Sequence, residues 1–276
     1  MQKSTSELAP IPANSAPSLN RIPIPSRIPI PSRIPITCRI YDGFMPPSIP
    51  TSLVSIRCKG ILFDMDGILI SSIGSVERSW TKWAHLRGVD PVLARATAHG
   101  RRAVETIAKL RPDLDNAKEL KVIEDIEIAD NEGLTVLPGV LDLLSALPPD
   151  RWTVVTSATE RLARVRMETG GIPAPKRFVT AEQVTRGKPD PEPFLAGAAL
   201  LGAAPAECVV FEDSSSGAKA GRAAGCIVVA TTFSHSAELL DAAHYVLRDL
   251  TGVRVESIGD QLVMQFTPLS TAVTKN

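Results

Sequence analysis

The chain has 276 residues, of which 44% are hydrophobic and 22% are charged, an ordinary composition for a folded globular protein. Its formal net charge is zero and only 4% of its residues are aromatic, which argues against a basic or base-stacking surface for nucleic acid. No apolar run in the sequence approaches the roughly 20 residues needed to cross a bilayer. We therefore expect neither nucleic acid nor a membrane as a partner.

The first fifty residues differ in composition from the rest of the chain. Residues 21–36 read RIPIPSRIPIPSRIPI, and eleven of the 23 prolines fall within these fifty positions. Proline lacks a backbone donor and disrupts both helices and central strands, so we predict a disordered, proline-rich tail over residues 1–55. This tail is either a passive segment, a docking ligand for a partner, or coding sequence upstream of a later start such as Met45.

From Lys59 onward, short apolar segments alternate with helical patterns. Near-continuous apolar strands separated by helices predict an α/β fold with a doubly wound parallel sheet that is covered on both faces. The predicted strands are 61–63, 152–155, 178–180, 209–211, 227–230 and 245–247. The predicted helices between them include 161–168, 191–201 and 218–224.

Between Ile70 and Val140 the sequence shows no convincing strand and only helical patterns. Val76, Trp80 and Trp83 recur at helical spacing, and Gly88 is the expected end of their helix. Further helical patterns cover 101–110 and 117–130. We predict an inserted α-helical cap at 72–138, in which the two tryptophans form a small core or, alternatively, line a ligand cavity. The remaining boundaries are 56–71 and 139–255 for the core and 256–276 for a C-terminal tail.

The chain contains four cysteines, and none of them has C-x-x-C spacing. Cys208 and Cys226 each begin an apolar segment, which is typical of small core residues. For a chain of this size without a secretory signal, we expect all four to be reduced thiols and the protein to be cytoplasmic. The other two cysteines are Cys38 and Cys58.

Polar side chains follow the predicted strands at the points where the strands end. The carboxyl ends of parallel strands meet at one edge of such a sheet, where ligands bind, so we expect these groups to converge on one crevice. They comprise several carboxylates, hydroxyl groups and one ammonium group. The residues are Asp64, Asp66, Thr156, Ser157, Lys188, Glu212 and Asp213.

Four carboxyl groups at one edge would repel each other and raise each other's pKa unless a cation lay among them. One lysine does not balance four carboxylates, and Mg²⁺ prefers a small set of oxygen ligands of this kind. A site that combines Mg²⁺, a lysine and a hydroxyl group is electrostatically suited to phosphoryl transfer. In such a site one aspartate can act as nucleophile, and a second carboxyl group can handle protons.

Four motifs, in this order, carry a resemblance to a known family. FDMDG, VVTS, GKPDPEPF and VVFEDSSSG resemble the haloacid dehalogenase superfamily of phosphohydrolases, and the likeness extends over about residues 59–250. The segments AHGRRAVETIAKLRPDL and AAGCIVVATT resemble its sugar-phosphatase group with a helical cap. That group includes 2-deoxyglucose-6-phosphatases and glycerol-phosphate phosphatases.

The resemblance implies catalytic roles for the residues of these motifs. Asp64 would attack phosphorus, and Asp66 would act as general acid and base. Thr156 and the backbone amide of Ser157 would hold the phosphoryl oxygens. Lys188 would neutralise charge between the nucleophile and the phosphate.

The resemblance also implies a metal site and a substrate site. Mg²⁺ would be bound by Asp64, by the backbone carbonyl of Asp66, by Asp213, and by Glu212 directly or through water. Ser72 would contact the substrate from the hinge, the junction between the core and the cap. The cap residues His99, Gly100 and Arg102 are our candidates for substrate selection. The family usually has threonine where this chain has Ile68, and aspartate is common where it has Ser71.

We therefore expect a Mg²⁺-dependent phosphatase that hydrolyses a small sugar or polyol phosphate through an aspartyl-phosphate. One alternative is a phosphosugar mutase of the β-phosphoglucomutase type, which shares the same core. A second alternative is a non-enzymatic scaffold that recruits a partner through the proline-rich tail. We expect the protein to act as a monomer or a small homo-oligomer.

Overall fold

The computed structural model describes residues 52–271, so the tail predicted at 1–55 lies almost wholly outside the described residues. The strands, in chain order, are β1 Val54–Cys58, β2 Gly60–Phe63, β3 Ile70–Ser71, β4 Thr135–Val136, β5 Trp152–Val154, β6 Cys208–Glu212, β7 Ile227–Thr231, β8 Tyr245–Leu247, β9 Arg254–Ile258, β10 Gln261–Phe266 and β11 Ser270–Thr271. The α-helices are α1 Ile73–Arg87, α2 Pro91–Ala98, α3 Ala103–Leu110, α4 Asn116–Ala129, α5 Val140–Ser145, α6 Glu160–Thr169, α7 Glu192–Leu200 and α8 Ser215–Ala223. None of these helices has the length and apolar character needed to cross a membrane.

The principal sheet has the strand order β11-β8-β7-β6-β2-β5. All neighbours from β8 to β5 are parallel, and only the edge strand β11 is antiparallel. The central strand β2 pairs on both sides, with Ile61 opposite Trp152 of β5 and opposite Val209 of β6. This arrangement confirms the predicted α/β fold with its parallel sheet.

Both faces of the principal sheet are buried. In β2, Ile61 and Phe63 pack into one hydrophobic cluster and Leu62 into another, because successive side chains of a strand point to opposite faces. Phe63 stacks on Phe211 of β6 with the ring centroids 5.2 Å apart. No residue of β2 or β6 is exposed, which explains why these strands appear as continuous apolar runs in the sequence.

The order of the strands locates the crevice of the sheet. The chain passes from β2 to β5 on one side and later returns to β6 on the other side, so the direction of winding changes at β2. In open α/β sheets, ligands bind outside the carboxyl ends of the strands at such a switch point. Asp64 is the first residue after β2 and therefore lies at this position.

Helices α1 to α4 lie between β3 and β4, which pair antiparallel with Ile70 opposite Val136. The chain thus leaves the core and returns to it at the same place. These helices have a hydrophobic cluster of their own that includes Trp80, Trp83 and Ile107. The exposed fraction is 3% for Trp80 and 0% for Trp83, so both are core residues as expected. The cap boundaries at 72 and 138 stay a prediction.

Helix α1 ends at Gly88, as expected, where a φ of 65° requires the left-handed region that glycine adopts without strain. Helix α2 was not predicted. Its start nevertheless has a clear local cause, since Asp90 accepts from the backbone N–H of Val92 at 2.7 Å and Pro91 occupies the first helical position. Its apolar pattern over eight residues was too short to separate from a loop.

The strand predicted at 178–180 is wrong. Val179 forms only a single isolated bridge, to Val155, because the chain turns into a short 3-10 helix at Ala181–Gln183. Backbone hydrogen bonds still attach this segment to the sheet, from Val179 N to Val154 O and from Thr156 N to Val179 O. The segment therefore supports the site without extending the sheet.

The C-terminal tail predicted at 256–276 is also wrong over most of its described part. Strands β9 and β10 form a hairpin that pairs antiparallel with β1 and makes a second sheet. Leu262, Met264 and Phe266 alternate along β10, and each is at most 1% exposed. They pack in the same cluster as Ile56 and Cys58 of β1, and this burial holds the hairpin in place.

Three of the four cysteines lie within the described residues. Cys58, Cys208 and Cys226 are buried and form no disulfide. Their burial agrees with the expected role as small core residues. Cys38 lies outside the described residues.

We predict that replacing Met264 by Ala lowers the free energy of unfolding by about 2–5 kcal/mol, because it opens a cavity at a fully buried site. Its neighbour Gln265 is exposed, and Gln265→Ala should change stability by less than about 0.5 kcal/mol. Urea denaturation of both variants measures the difference. If both substitutions changed the free energy of unfolding by the same small amount, the hairpin would not pack on the core.

Candidate active site

A buried ion pair lies at the end of β2. The backbone N–H of Asp64 donates to Phe211 O at 2.9 Å, which ties the residue to β6. Asp64 Oδ1 accepts from Lys188 Nζ at 2.5 Å, and the side chains are only 10% and 3% exposed. Lys188 Nζ also donates to the carbonyl of Val155, just after β5, at 3.1 Å. The lysine therefore bridges the ends of neighbouring strands.

Glu212, the last residue of β6, is the second carboxylate on this lysine. Its Oε1 accepts from Lys188 Nζ at 2.7 Å. Its Oε2 accepts from the backbone N–H groups of Asp213 and Ser214 and from Ser214 Oγ, each at 3.0 Å. A Cβ on Gly217 would lie 1.7 Å from Glu212 Oε1, so only glycine allows α8 to approach so closely. Both oxygens of Glu212 are thus held by protein donors.

Asp213 is held against the loop that follows β2. Its Oδ2 accepts from Ser234 Oγ at 2.5 Å. A Cβ added to Gly67 would lie 1.8 Å from the same oxygen, and the φ of Gly67 is +91°. Gly67 is therefore required twice, for its backbone conformation and for the close approach of Asp213. The glycine of the D-x-D-G motif thus has a physical role in the site.

Ligand atoms of Asp64, Glu212 and Asp213 lie within 4.8 Å of one another and could hold a metal ion. Burial, opposed by Lys188, raises the pKa of Asp64 to about 7. Burial and the charges of Glu212 and Asp64 raise the pKa of Asp213 well above its ordinary value. Burial lowers the pKa of Lys188, but the carboxylates of Asp64 and Glu212 outweigh that effect and raise it. This buried excess of negative charge over one lysine suits a divalent cation.

Thr156 and Ser157 form the next part of the site, after β5. Thr156 is buried, and its Oγ1 accepts from the backbone N–H of Ala158 at 3.1 Å. The backbone N–H of Thr156 donates to Val179 O at 3.0 Å. Both Thr156 and Ser157 face the cavity described next. The Thr156 hydroxyl and the backbone amide of Ser157 are donors of the kind that hold an anion.

A cavity of about 430 Å³ lies between the sheet edge and the inserted helices. All residues that the sequence predicts for the site line this cavity, except Arg102. Ser72 is buried at the start of α1, while His99 and Gly100 follow α2. Trp80 also lines the cavity, so it serves the helical core and the cavity wall together.

His99 and Gly100 bring the insertion into contact with the core. The ring of His99 packs edge-on against His235 with the centroids 4.9 Å apart, and His235 Nδ1 lies 3.1 Å from the carbonyl oxygen of Asp213. The carbonyl of Gly100 accepts from Ser216 Oγ at 3.2 Å. Both residues therefore lie beside the carboxylate cluster.

The structure does not favour the substrate-binding role predicted for Arg102. Its Nη1 donates to Val184 O at 2.8 Å and its Nη2 to Thr185 O at 2.9 Å. Arg102 Nε donates to Glu105 Oε1 at 2.8 Å. The guanidinium is thus used in joining α3 to the loop before Lys188, a partner set that cannot be recognised in the sequence.

Two further residues of the site were missed by the sequence analysis. Arg166 on α6 donates from Nη1 to Asp66 Oδ2 at 2.9 Å and from Nη2 to Glu127 Oε1 at 3.3 Å. Both newly found residues line the cavity and are buried. Glu127 lies four residues after the buried Ile123, so a charged residue on an apolar helix face was the available signal.

Ile68 replaces the threonine that is usual in the related motifs. Its side chain is 1% exposed and packs in the main hydrophobic cluster. Backbone hydrogen bonds close the loop around it, from Gly67 N to Ile70 O at 2.8 Å and from Leu69 N to Met65 O at 2.9 Å. The loop is therefore held by backbone and core contacts without a hydroxyl group at residue 68.

The parallel α/β sheet, with an aspartate, a lysine and a cluster of carboxylates at the carboxyl ends of its strands, defines a class of hydrolases with a Rossmann-like core. A family model described as haloacid dehalogenase-like hydrolase matches residues 58–225. The chain belongs to this family.

Named relatives are similar over most of their length. The chain is 43% identical to hexitol phosphatase A of Escherichia coli K12, over 72% of this chain and 95% of that protein. It is 37% identical to 2-deoxyglucose-6-phosphate phosphatase 2 of Saccharomyces cerevisiae, over 70% of this chain and 89% of the other. The crystal structure of a hydrolase from Pseudomonas syringae has the same fold, with a TM-score of 0.63 and 23% identity over 70% of this chain and 94% of that one.

We predict that a divalent cation raises the melting temperature of the protein and that Asp213→Asn removes most of this gain. At a metal concentration a hundred times the dissociation constant, the gain corresponds to about 2.7 kcal/mol of unfolding free energy. Without metal, the variant should be at least as stable as the parent, because it removes one of several like charges.

The matched control for this experiment is Asp241→Asn, which changes an exposed aspartate outside the site. Thermal melts with Mg²⁺, with Mn²⁺ and with EDTA provide the comparison. Retention of the full metal-dependent gain by Asp213→Asn would contradict the assignment of the cluster.

Proposed function

We propose that this protein is a Mg²⁺-dependent phosphatase that hydrolyses a small sugar or polyol phosphate through an aspartyl-phosphate on Asp64. The observation that carries the proposal is the contact of 2.5 Å between Asp64 Oδ1 and Lys188 Nζ, beside the carboxylate cluster. It places a buried carboxylate next to a fixed positive charge at the one edge of the sheet where ligands bind. Hexitol phosphatase A and 2-deoxyglucose-6-phosphate phosphatase 2, to which the chain is similar, support the substrate class.

In the proposed first step, an Asp64 carboxylate oxygen forms a bond to phosphorus while the bond from phosphorus to the sugar oxygen breaks. The departing oxygen takes a proton from Asp66. Thr156 Oγ1 and the backbone amide of Ser157 hold the phosphoryl oxygens, and the Lys188 ammonium group offsets their charge. The product at this stage is an alcohol and an acyl phosphate on Asp64.

In the second step, Asp66 takes a proton from water as the water oxygen bonds to phosphorus. The bond between phosphorus and the Asp64 oxygen then breaks, which releases inorganic phosphate and restores both carboxyl groups. Asp66 can act first as an acid and then as a base because the first step leaves it deprotonated. The cap would exclude bulk water during both steps.

The carboxylates of Asp64 and Asp213 and the backbone carbonyl of Asp66 are the proposed Mg²⁺ ligands. Bound there, Mg²⁺ would supply positive charge to the phosphoryl oxygens. Glu212 would contribute through water, since both of its oxygens already accept from protein donors. The Glu212 side chain chiefly holds Lys188 and the start of α8 in position.

Ser72, His99 and Gly100 are the proposed substrate contacts on the side of the insertion. The cavity of about 430 Å³ lies within the usual size range of pockets for small molecules. The buried, unbonded cysteines are consistent with the proposed cytoplasmic location. A monomer or small homo-oligomer remains our expectation for its assembly.

We predict that phosphate release from a hexitol phosphate or hexose 6-phosphate requires Mg²⁺ and falls by at least about a thousandfold in Asp64→Asn, which lacks the nucleophile. A phosphate-release screen over sugar, polyol and glycerol phosphates and phosphoglycolate, with Mg²⁺ or EDTA, measures both effects. Asp241→Asn is the control that should retain activity.

The same assay separates the alternatives. With a hexose 1-phosphate, formation of the 6-phosphate isomer in place of inorganic phosphate would identify a mutase. Activity that is unaffected by EDTA would exclude the metal assignment. Full activity of Asp64→Asn would exclude the nucleophile.

A further inference from the structure

Arg166 connects the core to the inserted helices at the carboxylate of Asp66. Its side chain is only 3% exposed. One terminal amino group donates to Asp66 Oδ2 at 2.9 Å and the other to Glu127 Oε1 at 3.3 Å. Asp66 belongs to the core loop after β2, whereas Glu127 lies on α4 of the insertion. A single guanidinium therefore holds two carboxylates from different parts of the fold.

The two oxygens of the Asp66 carboxylate are used differently. Within residues 52–271, Arg166 is the only hydrogen-bond partner of the Asp66 side chain, and it binds Oδ2. Asp66 Oδ1 has no partner, and neither does Arg166 Nε. One oxygen is thus fixed by a permanently charged donor, and the other is buried and has no hydrogen bond that would compete with a reacting group. Arginine suits this task because its rigid planar guanidinium holds two acceptors, here Asp66 and Glu127, in fixed directions.

Glu127 gives the guanidinium its second anchor. An arginine buried to this degree needs charge partners on more than one side, and the sequence provides a carboxylate on the buried face of α4. Because α4 also packs against α6, a shift of the inserted helix would move the guanidinium and, with it, Asp66. The direction of Asp66 is therefore coupled to the position of the insertion.

We propose that Arg166 is a positioning residue that sets the direction of the Asp66 carboxylate for proton transfer, with Glu127 as its anchor on the insertion. The inference rests on the proposed function, in which Asp66 exchanges the proton. Arg166 does not itself bond to the reacting atoms. It acts through Asp66.

The test uses two leaving groups that differ in their need for a proton. The alkoxide oxygen of a polyol phosphate needs an acid to leave, whereas p-nitrophenolate leaves without one. In Arg166→Met/Glu127→Gln, which removes both buried charges together, kcat on the polyol phosphate should fall by about a hundredfold or more. KM should stay near the parent value. The pre-steady-state burst of p-nitrophenolate should stay within about threefold of the parent rate, because this step needs no acid.

Arg161→Met is the matched control on the same helix. Arg161 Nη1 also reaches α4, at 2.7 Å from Glu124 and 2.6 Å from Asp125, but it does not touch Asp66. It should leave kcat on the polyol phosphate nearly unchanged. Arg166→Lys, which keeps the charge in a folded protein, should retain more activity than the double variant. Thermal melts of every variant establish that it is folded.

Three results would overturn the inference. The burst rate could fall by the same factor as polyol phosphate turnover, which would indicate a merely structural role. Arg161→Met could produce the same loss as the double variant. Turnover of the polyol phosphate could also stay unchanged in the double variant.

Asp66→Asn separates this inference from the proposed function. If that variant lowers the burst rate of p-nitrophenolate by the same factor as the turnover of the polyol phosphate, the role of Asp66 as general acid fails, and the inference fails with it. If it affects only the polyol phosphate while the Arg166 variants do not, the inference alone is wrong.

Discussion

The site depends on one buried cation, the ammonium group of Lys188. It lies between Asp64, Glu212 and the carbonyl of Val155, with 3% of its side chain exposed. Loss of one partner of a buried ion pair typically costs about 3–5 kcal/mol, because the remaining charge is left without compensation. The lysine therefore holds together the ends of three neighbouring strands while it leaves the cluster with excess negative charge. That excess of negative charge suits a divalent cation. By itself it would repel a phosphoryl group, so binding of the anion would depend on such a cation together with Lys188.

The backbone around this lysine is shaped to let carboxylates approach it. Gly67 and Gly217 lie where a Cβ would come within 1.8 Å of Asp213 and 1.7 Å of Glu212, respectively. The parallel register of β2 with β6 places Phe63 beside Phe211. The polar residues that follow them, Asp64 and Glu212, therefore lie at the same edge of the sheet. The hydrophobic sheet thus determines where the charges meet, and the glycines determine how closely they meet.

Much of this arrangement was predictable from the sequence because strand ends and charged motifs are local features. Asp64 and Asp213 come at the ends of apolar strands, and the rule for parallel sheets brings them together. Lys188 lies in the loop that follows the segment at 178–180. Arg166 was missed and Arg102 was expected to contact the substrate, because the sequence does not reveal the partner of an arginine. One binds Asp66 and the other binds backbone carbonyls, and only the packing of the insertion on the core decides which. The hairpin of β9 and β10 was missed because its alternating pattern lies after the last predicted strand of the parallel sheet, where we expected only a tail.

In the proposed reaction, Asp64 carries the phosphoryl group during turnover. Borohydride reduction of the enzyme, quenched while it turns over a polyol phosphate, converts an acyl phosphate on aspartate into homoserine. Peptide mass spectrometry then locates the change. We expect homoserine at position 64, dependent on substrate and on Mg²⁺. An unmodified Asp64, or the same change at Asp66 or Asp213 instead, would contradict it.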